Sequence, residues 1–446
     1  MMKTLPGGSW RYLAILVLAW SANNVLAATI TVNSNNEAIN PGGVCTLRGA
    51  VDAINNGANA NGCTATGAYG TDDLIRFGLG AATITLANTA NNHIVIRSPL
   101  TIDGSGNDIT LDGANANRIF GVIVGCTELT IKHLIFQNGN SGMTNAVGGA
   151  IDVVINSGQP PNKLVVEDSV FIGNEAFMFG GAINQTDGNS PRLSTLLVER
   201  STFIGNTAAP FGRGGAIWAY NATIRNSTFS GNSAALSGGA VWADNAEVTN
   251  STFVDNSATS TNAGAIFADH SLIASHLTLV NNRAPAGAAI FVSAGTGSLM
   301  NSLVVGDSSV TTTQCAAGAT AALAGGTNLE WRNGANENSC NSSTAVTTTA
   351  ALPEDIVDTV LADHGGPTLT LALPDSSPAI DAGDPSVGLT TDQRGQPRPQ
   401  GGRPDLGAYE ATSKSIDAAP IPSLGAWGLL ALIGLVPAVA CRTRRR

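Results

Sequence analysis

The sequence has little charge and few aromatic side chains. Only 12% of the 446 residues are charged, 5% are aromatic, and the formal net charge is −10. Nucleic-acid-binding proteins normally carry a basic stripe, so this charge excludes nucleic acid as a partner. The six cysteines include no CxxC pair, which excludes the common cysteine-based zinc sites. No segment of helical periodicity fits between the recurring motifs, which argues against a helical repeat.

The sequence is instead dominated by one repeat. In each copy a Phe or Leu is followed by Asn, usually three residues later, and then by a triplet of small residues and a β-branched residue. From Phe203 onward the first position recurs after 26, 24 and 26 residues. A fixed period in this range predicts a solenoid, in which each unit buries its apolar face against its neighbours. The copies begin at Phe136, Phe171, Phe203, Phe229, Phe253 and Leu279.

Each unit contains short β-prone runs separated by Gly, Asn and Ser. Like strands return to the same place without a helix only in a coil of parallel strands, with neighbouring coils about 4.8 Å apart. The sequence therefore predicts an all-β fold, a parallel β-helix over residues 84–304, and crossover geometry makes the right-handed form the expectation. Inward-pointing residues are expected to stack on their equivalents one coil later: Ile217 on Val241, Ile224 on Val248, and Phe229 on Phe253.

The recurring Asn occupies the position where the chain turns. Its amide can bond the backbone and the Asn of the next coil, so the repeat predicts a ladder of Asn side chains. The ladder positions are Asn206, Asn232, Asn256 and Asn282.

The ends of a solenoid are open sheet edges and need caps. Residues 29–83 are expected to form the N-terminal cap, including an amphipathic helix that carries Leu47, Val51 and Ile54. Residues 305–351, rich in Ser, Thr and Ala, are expected to wrap the last coil irregularly.

Residues 1–28 have the features of a secretory signal peptide, with basic residues, an apolar stretch and small residues at a cleavage site. The alternative for this segment is an uncleaved membrane anchor. Export permits disulfides, and the close pairs Cys45/Cys63 and Cys315/Cys340 are the expected bridges, although spacing alone leaves other pairings open. Cys126 lies in an apolar run and is expected to be a buried thiol.

The repeats resemble the FxxN and GGA[ILV] repeats of the chlamydial polymorphic outer-membrane proteins and related bacterial right-handed parallel β-helix proteins. The segment Cys45-Thr-Leu-Arg48 resembles the CSLR-type start of such secreted proteins, with Thr in place of Ser.

Residues 352–412 resemble the choice-of-anchor Q domain. The matching segments are 377–384 (SPAIDAGD), 391–395 (TDQRG), 398–400 (RPQ) and 405–410 (DLGAYE). This resemblance implies a small C-terminal domain that precedes an anchoring or sorting signal.

The end of the chain has the composition of such a signal. After a polar linker at 413–420, residues 421–446 resemble the IPTL-CTERM sorting tail, and their apolar stretch is barely long enough to span a bilayer as a hydrophobic helix. The resemblance implies sorting and processing machinery as a partner and an inner-membrane-tethered precursor that later reaches the cell surface, the outer membrane or the medium. A permanent anchor is the alternative. The residues that match the signal are Ile421, Pro422, Ser423, Leu424, Trp427, Arg442, Arg444, Arg445 and Arg446.

Parallel β-helices include polysaccharide enzymes, so a cluster of carboxylates would indicate a candidate active site. Aligned repeats place Tyr220, Asp244 and Asp269 in one column, with Asn221, Asn245 and His270 beside them. Asp244 and Asp269 are thus the candidate catalytic residues, one coil apart, with Arg225 as the nearby base. The alternative is that these acids are ordinary solvated turn residues. No metal site and no cofactor are predicted.

A second column holds Trp218, Trp242, Phe267 and Phe291. Each residue follows an inward Ile or Val, so strand alternation predicts that its ring points outward. Exposed stacked rings could bind a sugar or a partner protein, whereas the alternative is packing under a neighbouring loop.

These observations lead to two hypotheses on function. The first is a non-catalytic cell-surface or secreted β-helix protein with a role in adhesion, glycan or matrix binding, or envelope structure, and with a polysaccharide or surface partner. The second is a surface polysaccharide lyase or hydrolase that uses the carboxylates of Asp244 and Asp269.

Overall fold

The protein is described here from a computed structural model. It covers residues 26–39, 41–87, 92–123, 125–189, 191–307, 312–331, 339–340 and 352–412. The signal peptide apart from residues 26–28, the linker 413–420 and the tail 421–446 with its nine sorting residues therefore lie outside the described residues. Within the described part of the chain, no helix has the length and apolar character needed to cross a membrane.

The first half of the described chain contains the following elements, in chain order. They are β1 (Thr29–Val32), α1 (Leu47–Asn56), β2 (Asp73–Phe77), β3 (Ala82–Thr85), β4 (Ile94–Ile96), β5 (Leu100–Asp103), β6 (Ile109–Asp112), β7 (Phe120–Val122), β8 (Glu128–Lys132), β9 (Leu134–Gln137), α2 (Gly142–Asn145), β10 (Ile151–Ile155), β11 (Lys163–Glu167), β12 (Val170–Ile172), β13 (Glu175–Ala176), β14 (Ile183–Asp187), β15 (Thr195–Glu199), β16 (Thr202–Ile204) and β17 (Thr207–Ala208).

The later elements include five strands of 9 to 11 residues. They are β18 (Ile217–Arg225), β19 (Thr228–Ser230), β20 (Ser233–Ala234), β21 (Val241–Thr249), β22 (Thr252–Val254), β23 (Ser257–Ala258), β24 (Ile266–Ser275), β25 (Thr278–Val280), β26 (Ile290–Met300), β27 (Leu303–Val305), β28 (Cys315–Gly325), β29 (Leu329–Trp331), α3 (Pro353–Ile356) and a 3₁₀ turn at Pro385–Val387.

The strands form three sheets of 15, 10 and 4 strands, and the pairs between these strands are parallel. In the largest sheet, two arms converge on β18, which continues into β21, β24, β26 and β28. The ten-stranded sheet runs β3-β6-β9-β12-β16-β19-β22-β25-β27-β29. Successive coils add one strand to the ten-stranded sheet, and they add a strand to each arm of the largest sheet until the arms join at β18. This stacking of parallel strands confirms the predicted parallel β-helix.

Parallel pairing extends beyond the predicted limits of 84 and 304. At the beginning, β1 pairs with β2 and β2 with β5, and at the end β28 pairs with β26 and β29 with β27. Residues 305–351, expected to be irregular, therefore include two further strands. Strand β28 could not be predicted from the sequence, because its Ala- and Gly-rich composition has low β propensity.

The predicted helix is present as α1. Thr46 caps it by accepting a hydrogen bond from the Gly49 N–H, and Gly57 ends it in a left-handed conformation. Leu47, Val51 and Ile54 are buried, as predicted, against strands that include β1, β2 and β4.

Both predicted disulfides are formed, Cys45–Cys63 and Cys315–Cys340. Cys126 is a buried thiol, as predicted, and burial raises its pKa to about 12. It is thus fully protonated at neutral pH and unreactive.

Inside the coil, like residues stack on like. Ile217 pairs with Val241, Ile224 with Val248, and Phe229 with Phe253, and all six are fully buried. The rings of Phe136, Phe171, Phe203, Phe229 and Phe253 form one column with centroids 4.7–4.8 Å apart. This spacing matches the distance between neighbouring coils.

The predicted Asn ladder is also present. The backbone N–H and side-chain Nδ2 of Asn206 both donate to Oδ1 of Asn232, at 3.0 and 2.9 Å. Asn232 Nδ2 in turn donates to Asn256 Oδ1 and to the carbonyl of Phe203 in the preceding coil. The same bonds join Asn174 to Asn206 and Asn256 to Asn282. Every amide atom of a ladder Asn is satisfied, although these side chains are fully buried.

Residues 352–412 pack on the outer face of the ten-stranded sheet and share a hydrophobic core with it. Val254, Val280 and Trp331 of the coils contact this layer. Gln393 spans two coils, because its Nε2 donates to Thr228 and its Oε1 accepts from Thr252. Thr278 accepts a hydrogen bond from the backbone of this layer at Ala408.

We predict that Asn232→Ala lowers the free energy of unfolding by about 3 kcal/mol or more. The substitution leaves several buried hydrogen-bond donors and acceptors without partners, and each unsatisfied group costs about 1–3 kcal/mol. Chemical denaturation measures the effect. Asn245→Ala is the matched control, since the exposed Asn245 makes one side-chain hydrogen bond, to Asn221, and should change stability by about 0.5 kcal/mol or less. Equal effects of the two substitutions would contradict the structural role of the ladder.

Candidate functional site

The candidate acids lie at a corner of the coil, where the long strands β18, β21 and β24 bend. Asp244 is flanked by Ala243, which pairs with Ala268, and by Asn245, which pairs with Ser271. One residue of β21 thus faces two residues of β24, Asp269 and His270. This extra residue is a β-bulge, a feature that re-aims side chains.

Because of this bulge, one part of the predicted alignment of residues is wrong. Asp244 and Asp269 are neighbours, as expected, but Ser271 and not His270 stands beside Asn245. His270 instead turns toward the acids, with its Nδ1 3.5 Å from Asp244 Oδ1 and 3.8 Å from Asp269 Oδ2. Each of the three side chains offers one possible metal-ligating atom, and these three atoms lie within 4.8 Å of one another.

The three side chains differ in exposure. The Asp244 side chain is only 11% exposed, whereas Asp269 is 35% and His270 61% exposed. Asp244 therefore forms the floor of the cluster, and the other two residues form its solvent-facing rim.

The basic residue beside the acids is Arg192, which the sequence analysis did not predict. Arg192 NH1 lies 3.0 Å from Asp244 Oδ2, and its guanidinium stacks 3.8 Å from the centroid of the Tyr220 ring. The prediction that Arg225 is the base near the two acids is wrong, because Arg225 pairs with Glu247 instead. Arg192 and Asp244 are 52 residues apart, so no local pattern announces the contact.

Arg192 lies between β14 and β15, in the described segment 191–194 that leads into β15. Asp187 holds this segment by accepting hydrogen bonds from the backbone N–H groups of Leu193 and Ser194. Asn221 of the next coil also binds it, by donating to the carbonyls of Arg192 and Ser194. Hydrogen bonds to the backbone of residues 192–194 thus hold the segment that carries the guanidinium.

Tyr220 is the third member of the predicted column. Burial raises the pKa of its hydroxyl, and the charges of Asp244 and Asp187 raise it further, while Arg192 opposes them. The ring therefore stays neutral at physiological pH and serves as a packing surface for Arg192.

The aromatic column is stacked as predicted but is not exposed. Trp218 and Trp242 stack 4.9 Å apart, and the column continues through Phe267 to Phe291. Trp218, Trp242 and Phe267 are each less than a tenth exposed, and Phe291 is half-buried. The expectation of an exposed platform is wrong for the first three, because each ring covers the faces of its neighbours.

A separate cavity of about 470 Å³ lies along the coils that precede this corner. Its lining includes Gly106, Asn107, His133, Ile135 and Asp168. None of the predicted site residues lines it.

Comparison with protein-family models and with curated proteins finds no match. Among solved structures, the chain is similar to the crystal structure of pectate lyase Pel9A, with 15% sequence identity and a TM-score of 0.35. The alignment covers 87% of this chain and 97% of the other. The fold assignment rests on the strand pairing itself.

We predict that Trp242→Ala lowers the free energy of unfolding by about 3 kcal/mol, as for other buried large-to-small changes. Ile273→Ala, on the same sheet but at a side chain 59% exposed, should cost about 0.5 kcal/mol or less. Denaturation curves of the two variants test the burial of the column. A Trp242→Ala variant as stable as the Ile273→Ala variant would mean that the column lies open in solution.

Proposed function

We propose that this chain is an exported, non-catalytic β-helix protein that acts at or beyond the cell surface by binding a glycan or another surface partner. Its two disulfides support export, since disulfides persist mainly in oxidising compartments. The coils supply a stiff scaffold, because each is tied to the next by buried side-chain ladders as well as by strand pairing.

The observation that carries the non-catalytic assignment is the ion pair between Arg192 and Asp244. A pair of catalytic carboxylates needs two groups that can reach substrate and exchange protons. Asp244 is buried and already committed to Arg192 through one oxygen. The exposed groups of the corner, Arg192, Asp269 and His270, offer hydrogen-bond donors and acceptors of the kind that bind sugar hydroxyls.

The same proposal includes the route by which the chain reaches its place of action. We infer that residues 1–28 direct export, that residues 352–412 act as a choice-of-anchor Q-type domain, and that residues 421–446 form an IPTL-CTERM-type signal for sorting machinery. The precursor would be held in the inner membrane by this tail and then delivered to the cell surface or released.

Binding without turnover is the expected result on a panel of acidic and neutral polysaccharides with calcium present. Arg192→Ala should weaken binding about tenfold or more, through the loss of a charged hydrogen bond. Arg225→Ala is the matched control, since both arginines are paired with one acid and are 45% and 47% exposed. Equal loss in both variants would exclude the corner as the binding surface.

The second hypothesis, a polysaccharide lyase or hydrolase, is favoured by one observation. Asp269 and His270 are both accessible beside Arg192, so an acid, an imidazole and a guanidinium meet at one corner. Product release in the same assay, abolished by Asp269→Asn, would establish this activity in place of the first.

Processing at both termini is tested by intact-mass measurement of the cell-associated and shed forms. The proposal expects a mature form that lacks residues 1–28 and part of the tail. A cell-associated form that keeps the whole of residues 421–446, with no shed form, would establish a permanent anchor.

A further inference from the structure

The corner of Asp244, Asp269 and His270 also has the geometry of a cation site. We propose that these three side chains bind one divalent transition-metal ion, through Asp244 Oδ1, Asp269 Oδ2 and His270 Nδ1. This inference is independent of the proposed binding function, because an ion could be held there with or without a glycan partner.

The distances support the proposal. In a tetrahedral zinc site with ligands about 2.0–2.2 Å from the ion, the ligand atoms lie about 3.4 Å from one another. His270 Nδ1 is already 3.5 Å from Asp244 Oδ1 and 3.8 Å from Asp269 Oδ2. Both separations are longer than an ordinary hydrogen bond, so the imidazole is placed near the acids without being bonded to them.

The two oxygens of Asp244 have different surroundings. Oδ2 is bound by Arg192, whereas Oδ1 accepts no hydrogen bond from the described part of the chain and faces His270. Oδ1 therefore keeps its lone pairs available for an ion on the side of His270. Metal-ligating carboxylates are commonly held from behind by such an outer partner, and Arg192 is in that position.

The chemistry of the donors selects the class of ion. Calcium and magnesium prefer six or more oxygen ligands, whereas a set of two carboxylates and one imidazole suits zinc, manganese and related ions. Asp269 and His270 are open to solvent, so water or a partner's oxygen can complete the coordination. The two acids and Arg192 together carry a net negative charge, which an ion of charge +2 offsets.

A second histidine provides a matched control. His133 also lies between two acids, with Nδ1 3.1 Å from Asp103 and Nε2 3.8 Å from Asp168. However, Arg200 binds both oxygens of Asp168, and Ser105 binds both oxygens of Asp103. Each carboxylate oxygen of that cluster thus already accepts a hydrogen bond, and an ion there would compete with it.

The test is calorimetric titration of the full chain, without a histidine tag and after treatment with a chelator, using Zn²⁺ alone as the probe. We expect one saturable site per chain, about 10- to 100-fold weaker in His270→Ala and in Asp269→Asn. Both substitutions are on the exposed rim, so the fold should persist, and Zn²⁺ should raise the melting temperature of the unmodified chain more than that of either variant. His133→Ala should bind as the unmodified chain does.

Three results would overturn the proposal. They are the absence of a saturable site, binding that is unchanged in His270→Ala, and binding that is reduced to the same extent in His133→Ala. Titration with Ca²⁺ completes the design, because a site that takes Ca²⁺ in preference to Zn²⁺ would contradict the inferred class of ion.

Discussion

The structure depends on the requirement that each buried Asn amide be satisfied by the same residue of the neighbouring coil. Strand pairing alone would tolerate a slip between coils, but a slipped coil would leave amide donors and acceptors unpaired in an apolar interior. The Asn ladder and the Phe column therefore fix the register at two points of each unit. The loops between these points vary in length, and the 24- and 26-residue spacings coexist in one regular rod.

The fixed register also determines what the outer surface can present. A side chain at one position of a coil lies one strand spacing from its equivalent in the next, so in the regular coils residues 24 to 26 apart in the sequence become neighbours. The corner cluster follows this rule for Asp244 and Asp269 and departs from it for His270, which joins through the bulge in β24. Regular stacking therefore supplies the acids, and one local irregularity adds the imidazole.

Much of the fold could be predicted because every copy of the repeat makes the same contacts with its neighbours. The inward residues, the Asn ladder and α1 follow from spacing and pattern, whereas the two disulfides were the expected pairings among several that the spacing left open. The sequence also carries the signal of a second ladder, because a Ser stands two residues before Phe171, Phe203, Phe229 and Phe253. Ser201 N–H donates to Ser227 Oγ, as Ser227 N–H does to Ser251 Oγ. Arg192 could not be predicted, because its place depends on how a unique loop folds over the next coil. The alternation of side chains along a strand predicts that Trp218 and Trp242 point outward. Their burial could not be predicted in this way, because it depends on the stacking of the rings on one another.

The covering layer has a mechanical consequence. Gln393 and Ala408 fasten this layer to threonines of three successive coils, and the buried pair Arg398–Glu410 ties its last described segment together. Residue 412, the last described residue, thus belongs to a layer on the flank of the coils. Tension applied at residue 412 would reach the coils as shear across several rungs at once, a loading geometry that resists stepwise unzipping from the end.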